Sequence, residues 1–244
     1  EHQYFVRDEN FVSCTTFIKS FFTPFDQVAV SQYCVRKKRP LISDKELEVE
    51  SSKLRKTWTQ ASMDGTKMHE SFENYLNSGT LHQSREMDQF LPFIRSMQEQ
   101  GFKPYRSEWA VYDLRYKLAG TIDQLFYRDD DVNTLYMYDW KRSKNISTYS
   151  FGKLGRLLNF HLNDCNYVHY SLQQNMYRYI LEQNYNKRVM SMHLYVINSK
   201  SYRAQIIEIP DMQQEIQNML IYRNQFMQST QDQFQDYLNS LESL

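Results

Sequence analysis

The chain has 244 residues, of which 41% are hydrophobic and 15% aromatic, and it contains only six glycines and five prolines. This composition excludes a disordered, collagen-like or low-complexity chain, and the length is ample for one globular domain with a sizeable core. Lysine plus arginine and aspartate plus glutamate number 29 each, so the formal net charge at neutral pH is zero. The molecule as a whole therefore does not attract nucleic acid or a membrane, and a polyanionic partner would have to bind a local basic groove.

The three cysteines, Cys14, Cys34 and Cys165, lie far apart and form no CxxC pair. An odd number without metal-site spacing argues against a disulfide framework and against a four-thiolate site. We therefore expect buried thiols in an intracellular, reducing compartment. The cysteines do not distinguish among the nucleus, the mitochondrion and a virus-infected cytoplasm. No apolar run approaches the roughly 20 residues that cross a bilayer, so we expect a soluble protein with no membrane partner.

The first part of the chain is predicted to be mainly helical. One apolar stretch ends at Pro24, and another ends at Gly101, a residue type common at helix C-termini. The basic run over 36–39 fits either a solvated loop or a patch that contacts phosphates. In chain order we predict a strand over 4–6, a turn over 8–10, a helix from residues 13–16 to 22, a helix over 46–77 with a break near residues 64 and 65, and a helix over 85–100.

From Ser107 onwards the apolar residues recur with a period of two, which is typical of strands. We predict an antiparallel meander of strands over 107–114, 116–128 and 134–141, then a helix over 167–184, strands over 191–197 and 204–209, and a helix over 212–240. The predicted fold class is α/β, a central mixed sheet flanked by helices with helical additions at both ends. We treat 1–244 as one domain, divided into an N-terminal helical region over 1–60, a core over 61–210 and a C-terminal helix over 211–244.

Two aspartates in the meander suggest a metal site. A turn centred on Asp131 places Asp123 opposite Asp139, because the two residues are equally distant from it along the chain. Directly opposed carboxylates repel each other unless a cation lies between them. Carboxylate oxygens are hard ligands that suit Mg²⁺ or Mn²⁺, so the hairpin predicts a site for one of these ions.

Lys141 adds a cation to this site. Strand side chains alternate, so Asp139 and Lys141 share one face of the strand while Trp140 turns away and leaves its main-chain carbonyl as a further ligand. A metal, two carboxylates and a lysine form a set of groups suited to phosphodiester hydrolysis. The alternative is a surface ion pair between Asp139 and Lys141 beside a polar Asp123, and the tripeptide alone favours that alternative.

The order of several short motifs carries more information than any one of them. The series is Gly65-Thr66-Lys67-Met68-His69, Glu108, Gly120-Thr121-Ile122-Asp123, Asp139-Trp140-Lys141 and a helical segment from Tyr170 to Tyr177. This series, over about residues 60 to 180, resembles the RecB-like branch of the PD-(D/E)XK nuclease superfamily. The resemblance implies the nuclease core of that superfamily, with the meander as its catalytic part.

The resemblance also implies roles for individual residues. His69, Asp123 and Asp139 would bind the metal together with the Trp140 carbonyl, and Lys141 would be the catalytic lysine. Glu108 would bind the metal through water or pair with a basic neighbour. On the following helix, Gln173 and Tyr177 would organise the active site and Tyr170 would lie on the nucleic-acid path, although a tyrosine stripe at helical spacing is also typical of core packing.

Four basic residues next to the catalytic strand are candidates for phosphate contacts. They are Arg142, Lys144, Lys153 and Arg156. The alternative is a solvated loop whose charges contact only water. A phosphate path here would supply the local basic groove that the neutral molecule needs.

The resemblance implies an Mg²⁺- or Mn²⁺-dependent nuclease. Our first hypothesis is an exonuclease that acts on single-stranded or free-ended DNA, within a larger replication, recombination or repair assembly. Some relatives hold an iron-sulfur cluster with one upstream and three downstream cysteines, and because this chain lacks that spacing we expect no cluster. The pattern looks like cluster-free enzymes of viruses, phages and mitochondrial genome maintenance. A structure-selective endonuclease, an RNA endonuclease and a non-catalytic nucleic-acid-binding domain of the same fold stay as alternatives.

Overall fold

The computed structural model describes residues 3–150, 152–198 and 203–242, and the side chains among them up to residue 229. Its helices and strands follow the predicted order, with one strand and one helix added near the N-terminus. The elements are β1 (Tyr4–Val6), β2 (Glu9–Ser13), α1 (Cys14–Lys19), α2 (Gln27–Lys38), α3 (Asp44–Ser78), α4 (Arg85–Glu99), β3 (Phe102–Asp113), β4 (Leu118–Arg128), β5 (Asp131–Arg142), a short 3₁₀ turn (Leu157–Asn159), α5 (Asn166–Asn184), β6 (Arg188–Ile197), β7 (Gln205–Glu208) and α6 (Gln213–Glu242).

β4 is the strand around which the mixed sheet is built. Antiparallel β3 runs along the whole of one edge of β4. The other edge is shared, because parallel β2 pairs with Leu118 and Ala119 while antiparallel β5 pairs from Gln124 onwards. Beyond β5 the sheet continues through parallel β6 to antiparallel β7. In the described part of the chain, residues 120–123 have no strand partner on this shared edge, so the sheet has an open position there.

Helices cover both faces of the sheet, as the α/β prediction requires. On one face, α1, α5 and α6 pack on β4 and β5 through a cluster that includes Ile122, Met137 and Leu172. On the other face, α3 and α4 stack Phe72 on Phe90 at 3.8 Å and surround the buried ring of Trp140. Trp140 therefore turns away from the face of Asp139 and Lys141, as predicted.

The long helix α3 runs without interruption, so the predicted break near Asp64 and Gly65 is wrong. A glycine in a helix interior costs only about 1 kcal/mol relative to alanine, which a helix of this length tolerates. Strong ends support it: Ser43 and Glu46 form a capping box at the start, and Gly79 ends the helix in the left-handed conformation.

Two N-terminal elements were not predicted. Strand β2 occupies the end of the predicted turn over 8–10, because a turn at Arg7 and Asp8 lets β2 fold back on β1. The last turn and C-cap of helix α2 contain the basic run, and the helix buries only Ser31, so it lacks the apolar periodicity that would have indicated a helix. Its charges are partly matched by α3, since Arg36 pairs with Asp44 at 2.8 Å.

Within the described residues, no helix has the length and apolar character needed to cross a bilayer.

Candidate active site

The register of the β4–β5 hairpin is the one predicted on its active-site side. Gln124 pairs with Tyr138, and the adjoining pair has the same register. If this register continued by one residue, Asp123 would lie opposite Asp139. The predicted turn centre at Asp131 is wrong, because Arg128 pairs with Asp131 and a bulge after Phe126 absorbs the difference. The ladder therefore ends just before the two aspartates.

Asp123 fills the open position of the sheet with its side chain. Its Oδ2 accepts a hydrogen bond from the main-chain N–H of Trp140 at 2.7 Å. A carboxylate thus replaces the backbone carbonyl that would otherwise continue the ladder. This bond fixes the carboxylate of Asp123 relative to the main chain of β5.

Three potential metal ligands converge at this point. His69 of α3 has its Nδ1 3.3 Å from Glu108 Oε1 and 3.6 Å from Asp123 Oδ2, and its Nε2 lies 3.0 Å from the Trp140 carbonyl oxygen. One donor atom from each of His69, Glu108 and Asp123 lies within 4.8 Å of the others. The structure therefore brings together the predicted His69, Asp123 and Trp140 carbonyl, and it adds Glu108 directly to the group.

Glu108 reaches this group through an irregular piece of β3. Its φ is 45°, in the left-handed region that non-glycine residues seldom adopt, and a bulge lies three residues earlier, between Pro104 and Arg106. The pairs on either side of Glu108 align it with Asp123. Such strain is common at functional sites and costs about 1–3 kcal/mol. The β3–β4 register was the signal that could have placed Glu108 opposite Asp123 from the sequence.

The donor set fits a hard divalent cation. Neighbouring ligands of an octahedral Mg²⁺ ion lie about 3 Å apart, because each is about 2.1 Å from the ion. The two contacts of His69 Nδ1, 3.3 Å to Glu108 Oε1 and 3.6 Å to Asp123 Oδ2, are close to that value, whereas the Trp140 carbonyl contacts the opposite ring nitrogen. The two carboxylates match the ligand types of Mg²⁺ and Mn²⁺ sites, whereas an imidazole is a more usual ligand of transition metals, of which Mn²⁺ is one.

Asp139 and Lys141 form a separate pair beside the three ligands. Lys141 Nζ lies 2.6 Å from Asp139 Oδ2, which confirms that the two side chains share one face of β5. The Nζ also lies 4.9 Å from the centre of the Tyr170 ring, a cation–π contact. The ammonium group is therefore held between a carboxylate and an aromatic face.

Burial and the neighbouring carboxylates determine the protonation of the site. Burial alone would lower the pKa of Lys141, but Asp139 and Asp123 outweigh it and hold the pKa above its usual value. Burial raises the pKa of Asp139 to about 6, in spite of the nearby ammonium. Burial of the His69 ring acts to lower its pKa, yet Asp123 and Glu108 raise it to about 9. The carboxylates thus attract positive charge to the cluster, as a metal site requires.

Gln173 and Tyr177 lie behind these groups, between α5 and the sheet. Gln173 Nε2 is 3.1 Å from both Thr15 Oγ1 and Tyr177 Oη. The Tyr177 ring packs on Gly120 so closely that a Cβ atom there would lie 2.5 Å from Tyr177 Cε1. These two residues tie α5 to α1 and β4, whereas Tyr170 is the one of the three that contacts Lys141.

The four basic residues occupy different surroundings. Arg142 pairs with Glu86 at 2.8 Å and with Asp64 at 3.3 Å, so it links β5 to α4 and α3. Lys144, Lys153 and Arg156 are exposed in the segment that follows β5. Their contact with nucleic acid stays a prediction, and for Arg142 the two ion pairs provide a structural reason for its charge.

Comparisons with known proteins agree with this architecture. The family model described as the PD-(D/E)XK nuclease superfamily matches residues 29–244. Similar solved structures include the one named "Putative exonuclease" from Eubacterium rectale, 11% identical with a TM-score of 0.42, covering 90% of this chain and 79% of that one. The crystal structure of SSO0001 is 12% identical with a TM-score of 0.34, covering 91% of this chain and 78% of that one. A search of curated proteins gives no match.

Proposed function

Because this chain belongs to the PD-(D/E)XK nuclease superfamily, we propose that it is an Mg²⁺- or Mn²⁺-dependent deoxyribonuclease of the RecB-like branch. We propose further that it is an exonuclease acting on single-stranded or free-ended DNA in replication, recombination or repair. The observation that carries the catalytic proposal is the convergence of His69, Glu108 and Asp123 beside the Asp139–Lys141 pair.

The ligand cluster has a defined part in this proposal. A divalent ion held by His69 Nδ1, Glu108 and Asp123 would lower the pKa of a bound water and neutralise charge on a phosphoryl oxygen, and the contact of His69 Nε2 with the Trp140 carbonyl would orient the ring. The chain itself orients the ligands: Asp123 is fixed by the Trp140 N–H, and Glu108 by the backbone of β3. Asp139, predicted from the sequence as a ligand, is not in the group of three whose donor atoms lie within 4.8 Å of one another, and it pairs with Lys141.

Lys141 acts as a positive charge in this scheme. Against the effect of burial, Asp139 and Asp123 raise its pKa, which favours the protonated amine, so we assign it the role of a cation and not of the base that deprotonates water. An ammonium held by Asp139 and Tyr170 can instead donate hydrogen bonds to phosphoryl oxygens as negative charge develops in the transition state. The side chain is already ordered in the folded protein, so it loses little rotational freedom during the reaction, which favours catalysis.

The preference for DNA ends rests on the motif series and not on the cluster. Groups that contact phosphate and metal do not distinguish DNA from RNA, because only the 2′-hydroxyl and the bases differ. Linear and circular single-stranded DNA, duplex DNA and RNA should therefore be compared, each labelled and supplied with Mg²⁺, Mn²⁺ or chelator. We expect metal-dependent degradation of linear single strands, with the circular form left intact.

Each other outcome has a clear meaning. Cleavage of circular strands would show that the protein is an endonuclease and not an exonuclease. Faster cleavage of RNA than of DNA would contradict the proposed preference for DNA. A protein that binds DNA but cleaves none of these substrates with either metal would be a non-catalytic binding domain. The Lys141→Ala variant, prepared in parallel, controls for contaminating nucleases.

A further inference from the structure

A cavity of about 450 Å³ lies directly beside Glu108. It opens between the C-terminal end of α3 and the strand β3. Its volume lies in the range of pockets that hold small organic ligands. Its lining residues are Asn77, Tyr105, Arg106, Ser107, Glu108 and Trp109.

One wall of this cavity is aromatic and cationic. The Arg106 guanidinium lies over the Trp109 ring, 4.9 Å from its centre, and the Tyr105 ring is 5.9 Å from the Trp109 ring. Arg106 is exposed and makes no ion pair with any residue of the described part of the chain. Its charge and its flat guanidinium are therefore available to a ligand.

The irregular backbone of β3 joins this wall to the ligand cluster. The bulge at Tyr105 and the positive φ at Glu108 interrupt the simple alternation of side chains within five residues. As a result Glu108 contacts His69 while its neighbours Arg106 and Trp109 line the cavity. A group in the cavity would thus sit immediately next to a phosphate bound at the cluster.

We propose that this cavity binds an unpaired nucleobase of the substrate strand, next to the phosphate that is cleaved. The inference rests on the proposed nuclease function and adds to it a base subsite. Bases stack on aromatic rings and on arginine planes in proteins that bind single strands, and this wall offers the outer face of the Arg106 guanidinium, whose inner face covers the Trp109 ring. Asn77, which lines the cavity from the end of α3, has an amide that can hydrogen-bond to a base edge.

A base subsite of this kind would make the enzyme prefer single strands, because a base in a duplex must unpair before it can bind there. A base within a duplex is stacked and paired, so it must leave the helix before it can enter a side cavity. An unpaired base has no such cost. Stacking also tolerates every base, so the subsite supports binding without strong sequence preference.

The test compares two strands with and without bases. A labelled oligothymidylate of about twelve nucleotides and a fully abasic strand of the same length are bound to the protein in chelator, and fluorescence anisotropy gives both affinities. Wild type should bind the thymidylate strand roughly tenfold more tightly than the abasic strand. In Arg106→Gln this difference should largely disappear, with the abasic affinity little changed.

A matched variant controls for the loss of charge. Arg95→Gln removes an exposed arginine of α4 outside the cavity and should keep the wild-type difference between the two strands. The inference is overturned if Arg106→Gln weakens both strands equally, because the contact is then to phosphate, or if wild type does not distinguish the strands. Either result leaves metal-dependent cleavage untouched, whereas failure of the nuclease proposal would appear as absent cleavage with the base preference retained.

Discussion

Charge balance at the level of single residues decides what this site can do. Glu108, Asp123 and Asp139 face two groups that carry or can carry positive charge, His69 and Lys141. Lys141 is committed to Asp139, which leaves the other two carboxylates facing His69. The pair and the ligand cluster are therefore neighbours, and in the proposed mechanism the pair acts on the transition state while the cluster holds the ion.

The first prediction concerns Lys141. Lys141→Ala should lower kcat by about 10²–10³, because a charge aimed at the transition state is removed. Metal affinity should change little, since the amine is not a ligand. Lys141→Arg should also be slow, because a bulky planar guanidinium places its charge and donors differently from a compact ammonium. Single-turnover cleavage with saturating Mn²⁺ measures this, and a wild-type rate in Lys141→Ala would remove the residue from the mechanism.

The second prediction separates the two acidic candidates for metal binding. Glu108→Gln should weaken Mn²⁺ binding by roughly tenfold or more, because it removes one charge from the ligand cluster. Asp139→Asn should weaken Mn²⁺ binding less, because Asp139 is engaged with Lys141. Calorimetric titration of both variants with Mn²⁺ gives the comparison. The reverse order of affinities would restore Asp139 as the principal ligand.

At the level of elements, the site depends on how closely α5 approaches β4. Gly120 has no side chain, and the buried Tyr177 ring occupies the space where a Cβ would lie. This contact holds the helix that carries Tyr170 and Gln173 against the catalytic strands. The glycine of the predicted Gly120–Asp123 motif is thus explained by close packing.

The third prediction tests that packing with two glycines of the same chain. Gly120→Ala should lower the free energy of unfolding by about 1–3 kcal/mol, because the added Cβ overlaps Tyr177. Gly65→Ala, in the middle of α3 with nothing within 4 Å, should raise it by up to about 1 kcal/mol. Urea unfolding measures both. Equal effects of the two substitutions would show that the close approach of α5 is not what Gly120 permits.

The sequence predicts regular elements well and irregular ones poorly. The β4–β5 register and the shared face of Asp139 and Lys141 follow from the period of two. The β3–β4 register could have placed Glu108 opposite Asp123, but its positive φ and the bulge nearby are irregularities that no local pattern indicates. Helix α2 lacks an apolar stripe because it buries only Ser31 against its neighbours.

At the scale of the whole molecule, the open position in the sheet could not be predicted either. It arises because β2 and β5 share one edge of β4, and this is a long-range arrangement of strands. The motif order, in contrast, identified the superfamily, which the family model over residues 29–244 confirms. The order of the motifs and the local register could thus be predicted from the sequence, whereas the long-range arrangement of the strands could not.

The fourth prediction concerns the basic residues that follow β5 in a chain of zero net charge. If Lys153 and Arg156 bind phosphates, replacing both by glutamine should reduce the slope of log affinity against log salt by about 0.7 for each phosphate that is no longer neutralised. Arg142→Gln should instead lower the melting temperature, because Asp64 and Glu86 lose their partner. Anisotropy titrations at several salt concentrations measure the slopes. An unchanged slope in the double variant would place the phosphate path elsewhere.

The central claim is that His69, Glu108 and Asp123 hold the ion that hydrolysis requires. The most direct test is Asp123→Asn, because asparagine keeps an oxygen that can accept the Trp140 N–H and removes only the charge. Mn²⁺ binding, from the electron paramagnetic resonance of the free ion, and hydrolysis of an end-labelled single strand are measured in the same samples. We expect the variant to lose both binding and hydrolysis while it unfolds at the wild-type urea concentration. Hydrolysis at the wild-type rate, or equal Mn²⁺ binding by both proteins, would contradict the assignment.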